Sequence, residues 1–210
     1  MPVSVTRREL LAAPVLAGAL AIIPRAFAQG SAATLVAAMK TGGTVIFLRH
    51  AATHQEQIDT GRLGDRAGQR NLSPAGIAQA RELGRAFAAL GSVLDPILAS
   101  PVFRARDTAE LAFGAARVQV SMAIVADDYT SDVNAMITAS RQLLRTPPAA
   151  GKNVLLVGHR RPLELVTERQ FPDTIMPEGA LAVFAPGGAE GRLLGTMKSD
   201  ELSAAAGLRR

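Results

Sequence analysis

Short apolar blocks along this chain alternate with longer stretches whose apolar positions recur at helical spacing. The block Thr44-Val45-Ile46-Phe47-Leu48 is rich in β-branched residues and stops abruptly at Arg49-His50. A run of this kind predicts a strand buried on both faces, as in a parallel sheet. The same grammar returns at Asn153-Val154-Leu155-Leu156-Val157, followed by Gly158-His159. Further strands are predicted at 97–100, behind Asp95-Pro96, and at 118–125, before Asp127-Asp128. Strands at 180–184 and 193–197 flank Pro186-Gly187-Gly188 as a closing hairpin.

Helices are predicted between them. One covers 31–40 and is stopped by Gly42-Gly43. A second, Pro74–Leu90, starts at the capping pair Ser73-Pro74 and puts Ile77, Ala80, Gly84 and Phe87 on one face. Others follow over Phe103–Phe113, with the small residues Ala105, Ala109 and Ala112, over 133–144, and from near Pro162. Strands alternating with helices imply an α/β fold: a three-layer α/β/α sandwich around a mostly parallel central sheet. The stretch 51–71 fits neither period; it is polar and holds Gly61, Gly64 and Gly68. A loop that long inside a compact domain is usually a lid or a binding loop. Ligands of open α/β sheets bind beyond the carboxyl ends of the strands, where Arg49, His50 and His159 emerge.

Composition narrows the classes. A chain of 210 residues supports one sizeable core, and 48% apolar with 20% charged residues is globular. Lys and Arg number 23 against 18 acids, a net charge of +5, but no basic run is interleaved with aromatics. Nucleic acid is therefore not an expected partner. Cysteine is absent, which excludes a disulfide framework, a thiol nucleophile and Cys-based metal sites. No His/Asp cluster at ligand spacing lies outside the strand exits, so neither metal nor cofactor is expected.

The first residues read as a leader. Arg7-Arg8 precedes the apolar stretch 10–23, and Ala26-Phe27-Ala28 fits a small-residue cleavage site with Gln29 as the new amino terminus. That stretch is too short for a membrane span and is interrupted by Pro14. Residues 1–28 are thus expected to be a cleaved signal of the twin-arginine type, and 29–210 a single domain. The mature protein would then be periplasmic or secreted, with no membrane attachment once the signal is removed.

Three motifs give the strand exits a family resemblance. Leu48-Arg49-His50-Ala51 resembles the Arg-His-Gly signature of the histidine phosphatase (phosphoglycerate-mutase-like) superfamily, with Ala51 in place of the glycine. Asn71-Leu72-Ser73-Pro74-Ala75-Gly76 is similar to the segment before that family's first long helix. Ser100-Pro101-Val102-Phe103-Arg104-Ala105-Arg106-Asp107-Thr108-Ala109 resembles its second signature, and Val157-Gly158-His159 its third. The resemblance implies a phosphoglycerate-mutase-like fold and hydrolysis of phosphomonoesters through a phosphohistidine on His50, without a metal. It implies His159 as a second imidazole on the phosphoryl oxygens.

The residue types suit that chemistry. A phosphoryl group in transfer spreads charge over its equatorial oxygens, so catalysis is largely positioning and electrostatics. Planar guanidinium forks match those oxygens, and Arg49 and Arg104 would form the clamp. A neutral imidazole can act as the nucleophile. The leaving oxygen needs a proton from a carboxylic acid; Asp127 or Asp128 after a middle strand is the expected donor, with Glu178 a third candidate. Arg160 occupies the place directly after His159, where some relatives carry an Asp. Arg160-Arg161 either widens the anion pocket or pairs with Glu164. Thr53 and Arg70 are expected to reach the phosphate or the substrate, and His54, Gln69 and Asn71 are further loop candidates. Arg106 is expected at the surface.

The expected partner is a small phosphorylated molecule, an envelope sugar phosphate being one possibility; the oligomeric state is open. Two alternatives share the residues: a phosphoglycerate-mutase-type phosphotransferase, and a non-catalytic phosphate-binding or interaction protein.

Overall fold

The computed structural model describes residues 30–208. The expected leader, 1–28, lies outside the described residues. Six strands form one sheet in the order β3-β2-β4-β1-β5-β6. They are β1 (Val45–Arg49), β2 (Leu94–Ala99), β3 (Val118–Val120), β4 (Asn153–Gly158), β5 (Leu181–Ala185) and β6 (Arg192–Met197). β1, β4, β2 and β3 run parallel, while β5 runs antiparallel to both β1 and β6. The mostly parallel sheet and the closing hairpin thus agree with the sequence pattern.

Strand side chains alternate between two cores, which makes the layers. Ile46, Leu48, Leu155, Val157, Leu181 and Val183 face one side. There they pack on α1 (Ala32–Thr41), α2 (Pro74–Leu90), α3 (Phe103–Phe113) and α6 (Ser199–Ala205). Val45, Phe47, Val154, Leu156, Ala182 and Phe184 face the other side, against α4 (Val133–Arg145) and α5 (Arg160–Thr167). The near-continuous apolar strands are the signature of a sheet covered on both faces. Among the described residues no helix is long and apolar enough to cross a membrane.

Local chemistry sets the element ends. Ser73 caps α2 by accepting from the Gly76 N–H at 3.1 Å, Pro74 opens the helix, and Gly91 closes it at φ 68°. Asn153 sits fully buried at the start of β4. Its Oδ1 accepts from the Thr44 N–H and hydroxyl, and its Nδ2 donates to the Met39 carbonyl. One amide therefore staples β1, β4 and α1 at the end of the sheet away from the site.

Three expectations need correction. The strand predicted over 118–125 ends at Val120. Its only neighbour is β2, whose last paired residue, Ala99, lies opposite Val120. With the ladder exhausted, Ser121 caps a 3-10 turn at Met122–Ile124, and Ile124 and Val125 turn inward to the core. β2 spans Leu94–Ala99 rather than 97–100, taking in Pro96 at an interruption of its pairing with β4. The helix expected near Pro162 starts earlier, at Arg160, because proline is tolerated in a first turn. α6 was not anticipated.

Close approach pins α2 in place. A Cβ on Gly76 would lie 1.9 Å from the Ala52 carbonyl oxygen, and one on Gly84 2.1 Å from that of Ala112. Gly84→Ala must push α2 off α3, and the expected cost is about 1–3 kcal/mol of unfolding free energy. Urea denaturation checks this; an unchanged midpoint would show that the two helices tolerate a methyl between them.

Candidate active site

Parallel pairing of β1 with β4 sets Arg49 opposite Gly158. The next residue of each strand is a histidine. The His50 N–H donates to the Gly158 carbonyl at 3.0 Å, and the Ser100 N–H to that of Val157 at 2.9 Å. Three strand exits are thereby tied side by side. His50 and His159 are buried, at 6% and 4% exposure, with ring centroids 5.4 Å apart.

Hydrogen bonding assigns the His50 tautomer. Its Nδ1 lies 2.9 Å from the Ala51 carbonyl oxygen, which can only accept. Nδ1 therefore carries the hydrogen, and a neutral ring keeps a lone pair on Nε2. His159 Nε2 is 2.8 Å from the Ser100 hydroxyl, while its buried Nδ1 meets no hydrogen-bond partner among the described residues. Burial pushes both rings well below the ordinary histidine value of 6.5, and Arg104 pushes them further. Arg49 adds to this for both, and the Ala51 carbonyl opposes it for His50. Both rings are neutral at pH 7.

Arg104 projects from the first turn of α3 and is itself buried. Its Nη1 donates to Asp59 at 2.9 and 3.0 Å. Arg49, the last residue of β1, donates to Asp173 and, at 2.7 Å, to the Met176 carbonyl; its buried Nε has no hydrogen-bond partner among the described residues. Arg70 donates to the Thr53 hydroxyl at 2.6 Å and lies 3.7 Å from Glu178. Each guanidinium thus has a carboxylate within reach.

Thr53 is drawn the same way: its N–H and hydroxyl both donate to Glu178, at 3.2 and 2.7 Å. Glu178 Oε1 is 3.9 Å from His50 Nδ1, on the ring edge opposite the free Nε2. Asp127 and Asp128 occupy the one-turn 3-10 helix Asp127–Tyr129. Partial burial raises the Asp128 carboxyl above its ordinary value; Asp59 and Asp127 add to this and Arg104 works against it.

The other loop candidates serve the loop itself. Gln69 is fully buried, accepts from the Phe103 N–H at the start of α3 and donates to the Arg62 carbonyl. Asn71 bonds to Gln57 and to the Arg66 and Gln69 carbonyls. His54 pairs with Glu56. Arg106 is exposed and pairs with Glu110, as expected. Arg161 lies 3.8 Å from the buried Glu164, and Arg160 donates to the Phe171 carbonyl, 3.6 Å from Asp173.

Sequence reasoning passed over Asp59, Tyr129 and Asp173. Asp59 sits in an aperiodic polar loop and carries no local signal. Tyr129 was within reach, being the chain's one tyrosine and adjoining Asp127-Asp128.

Comparison with known proteins follows the same lines. Residues 45–126 match the model of the histidine phosphatase superfamily (branch 1), a segment running from β1 past α3 and holding His50 and Arg104. No curated protein matches the chain in sequence. The protein histidine phosphatase SixA complexed with tungstate superposes with a TM-score of 0.55 at 18% identity, over 76% of this chain and 99% of that one. A phosphoserine phosphatase mutant from Entamoeba histolytica, in complex with phosphoserine, gives 0.51 at 15% identity over 76% and 98%. The product of open reading frame Rv3214 of Mycobacterium tuberculosis gives 0.52 at 19% identity over 72% and 95%. At such identities these likenesses speak for the fold, and the matched segment holds two of the three motifs noted in the sequence. The likeness to the histidine phosphatase superfamily (branch 1) is thus carried by residues 45–126, less than half of the chain, within a fold shared with these phosphatases.

Proposed function

We propose that this protein hydrolyses phosphomonoesters through a phosphohistidine on His50, without a metal. The observation that carries the reading is the buried pair of imidazoles, 5.4 Å apart, with the charges of Arg49 and Arg104 bearing on both. In the first step the His50 Nε2 lone pair attacks phosphorus, and the bond to the ester oxygen breaks. Arg49 and Arg104 stabilise the charge spread over the equatorial oxygens. With the Ser100 hydroxyl donating to its Nε2, His159 carries hydrogen on Nδ1, the buried atom that no protein group satisfies. That N–H is a donor for a phosphoryl oxygen.

Asp128, whose carboxyl is held up by its surroundings, gives its proton to the leaving oxygen. The resulting carboxylate then takes a proton from water. The hydroxide so formed attacks phosphorus, the P–N bond breaks, and His50 is restored as phosphate leaves. Glu178 faces the wrong edge of His50 for this task and instead holds Thr53. The leader expected in residues 1–28 favours a substrate met in the periplasm or outside the cell, for which an envelope sugar phosphate has suitable chemistry.

His50→Ala is expected to abolish hydrolysis of p-nitrophenyl phosphate in EDTA; equal rates in variant and wild type would overturn the reading. Acid quench should trap phosphoenzyme, and water rather than added alcohol should take the phosphate; transfer mainly to the alcohol would instead identify a phosphotransferase. Asp128→Asn should slow phenyl phosphate by about 10²-fold. It should slow p-nitrophenyl phosphate far less, because that leaving group needs little protonation.

Neutral histidines also predict a pH response of stability. Their folded values lie below 6.5, so below about pH 6.5 the unfolded chain binds more protons than the folded one. Stability should therefore fall as pH drops from 7 to 5, by roughly 1 kcal/mol per unit for each ring while the folded rings stay neutral. Urea midpoints across that range check it, and His159→Gln should flatten the slope.

A further inference from the structure

Asp59 is the hub of the long loop. Its Oδ1 accepts from Arg104 Nη1 at 2.9 Å, from the Tyr129 hydroxyl at 2.6 Å and from the Arg70 N–H at 3.0 Å; its Oδ2 accepts from the same Nη1 at 3.0 Å. One carboxylate thus joins loop 51–71 to α3, to the 3-10 turn carrying Asp128 and to its own far arm. We infer that Asp59 is the positioning residue of the phosphate clamp, holding Arg104 by one nitrogen so that the rest of its fork meets the phosphoryl oxygens. This role rests on the phosphatase reading above and deepens it.

Two other roles fit less well. A general acid must carry a proton. Burial alone would push the Asp59 carboxyl up, but the Tyr129 hydroxyl, the Arg70 N–H and Arg104 outweigh it and hold the group below its ordinary value. A competitor for the phosphate would cover the guanidinium, whereas Asp59 engages Nη1 alone and leaves the Nε and Nη2 edge to the ligand. A charge-assisted anchor on one nitrogen restricts rotation of the fork without neutralising its donors.

The test compares two oxyanions. Orthovanadate adopts the five-coordinate geometry of the transition state, whereas inorganic phosphate resembles the ground state. Asp59→Asn keeps an oxygen for Tyr129 and Arg70 but drops the charge that anchors Arg104. It is expected to lower kcat/KM for p-nitrophenyl phosphate by about 10²-fold, the typical cost of a misplaced catalytic group. Inhibition by vanadate should weaken by a similar factor, while inhibition by phosphate should weaken far less. Asp65→Asn, whose carboxylate pairs with Arg62 and accepts from the Gly68 N–H within the same loop, should leave the vanadate-to-phosphate ratio unchanged.

A ratio left unmoved in Asp59→Asn, both anions weakening equally while the wild type turns over normally, would overturn the role of Asp59 alone. Wild-type protein that neither turns over nor binds vanadate would overturn the phosphatase reading and this role with it. Should Asp59→Asn fail to fold, Tyr129→Phe, which removes a single hydroxyl from Oδ1, is read by the same ratio and the same criteria.

Discussion

The parallel pairing of β1 with β4 is the constraint on which the rest depends. It is a backbone interaction, indifferent to side chains, yet it sets Arg49 beside Gly158 and so brings together two histidines more than a hundred residues apart in sequence. A one-residue slip in that ladder would turn every strand side chain to the opposite core. The two apolar clusters forbid this, because Ile46 and Leu48 pack against one set of helices and Val45 and Phe47 against the other. The geometry of the imidazole pair is therefore enforced by the core and by the Asn153 amide at the far end of the same strands.

Electrostatics complete the arrangement. Two imidazole rings are buried among guanidinium groups, and a cluster of buried cations would be costly without compensation. Asp59, Asp173 and Glu178 supply it, each set against Arg104, Arg49 and Arg70 respectively. These pairs differ in cost. The Arg104 pair is the most enclosed, whereas Asp173 is largely exposed and its attraction for Arg49 is screened by water. On the proposed reading, an arriving phosphoryl group would therefore meet one firmly held fork and one more easily redirected.

What could be read from the chain alone follows the range of the interactions. Strands with continuous apolar runs and helices with proper caps are local matters, and Pro74–Leu90 and Phe103–Phe113 match the pattern to the residue. The stop of β3 at Val120 is not local: it depends on where β2 ends. α6 escaped because its short apolar content gave no period to detect. That Arg49, His50, Arg104 and His159 lie near one another could be read from the chain because motif and strand exit coincide. The place of Asp59 could not, since its partners Arg70, Arg104 and Tyr129 are distant in sequence and share no spacing rule. Thr53 was read as a phosphate ligand, and the structure sets its hydroxyl between Glu178 and Arg70.

The base of the long loop is closed before the loop begins to wander. Thr53 bridges Leu72, and the Ser73 N–H donates to the Ala52 carbonyl, just where Gly76 admits no side chain. The sheet itself is met by the two ends of this excursion, while its middle is held to α3 and the 3-10 turn through Asp59 and Gln69. Doubling the length of a flexible closed loop costs only about 0.6 kcal/mol. Its tip beyond Asp59, where Leu63 stands exposed, can be lengthened at little expense to the scaffold so long as the Asp59 contacts are kept. On the proposed reading, a lineage could in this way exchange one clientele of phosphate esters for another while the residues at the strand exits stay as they are.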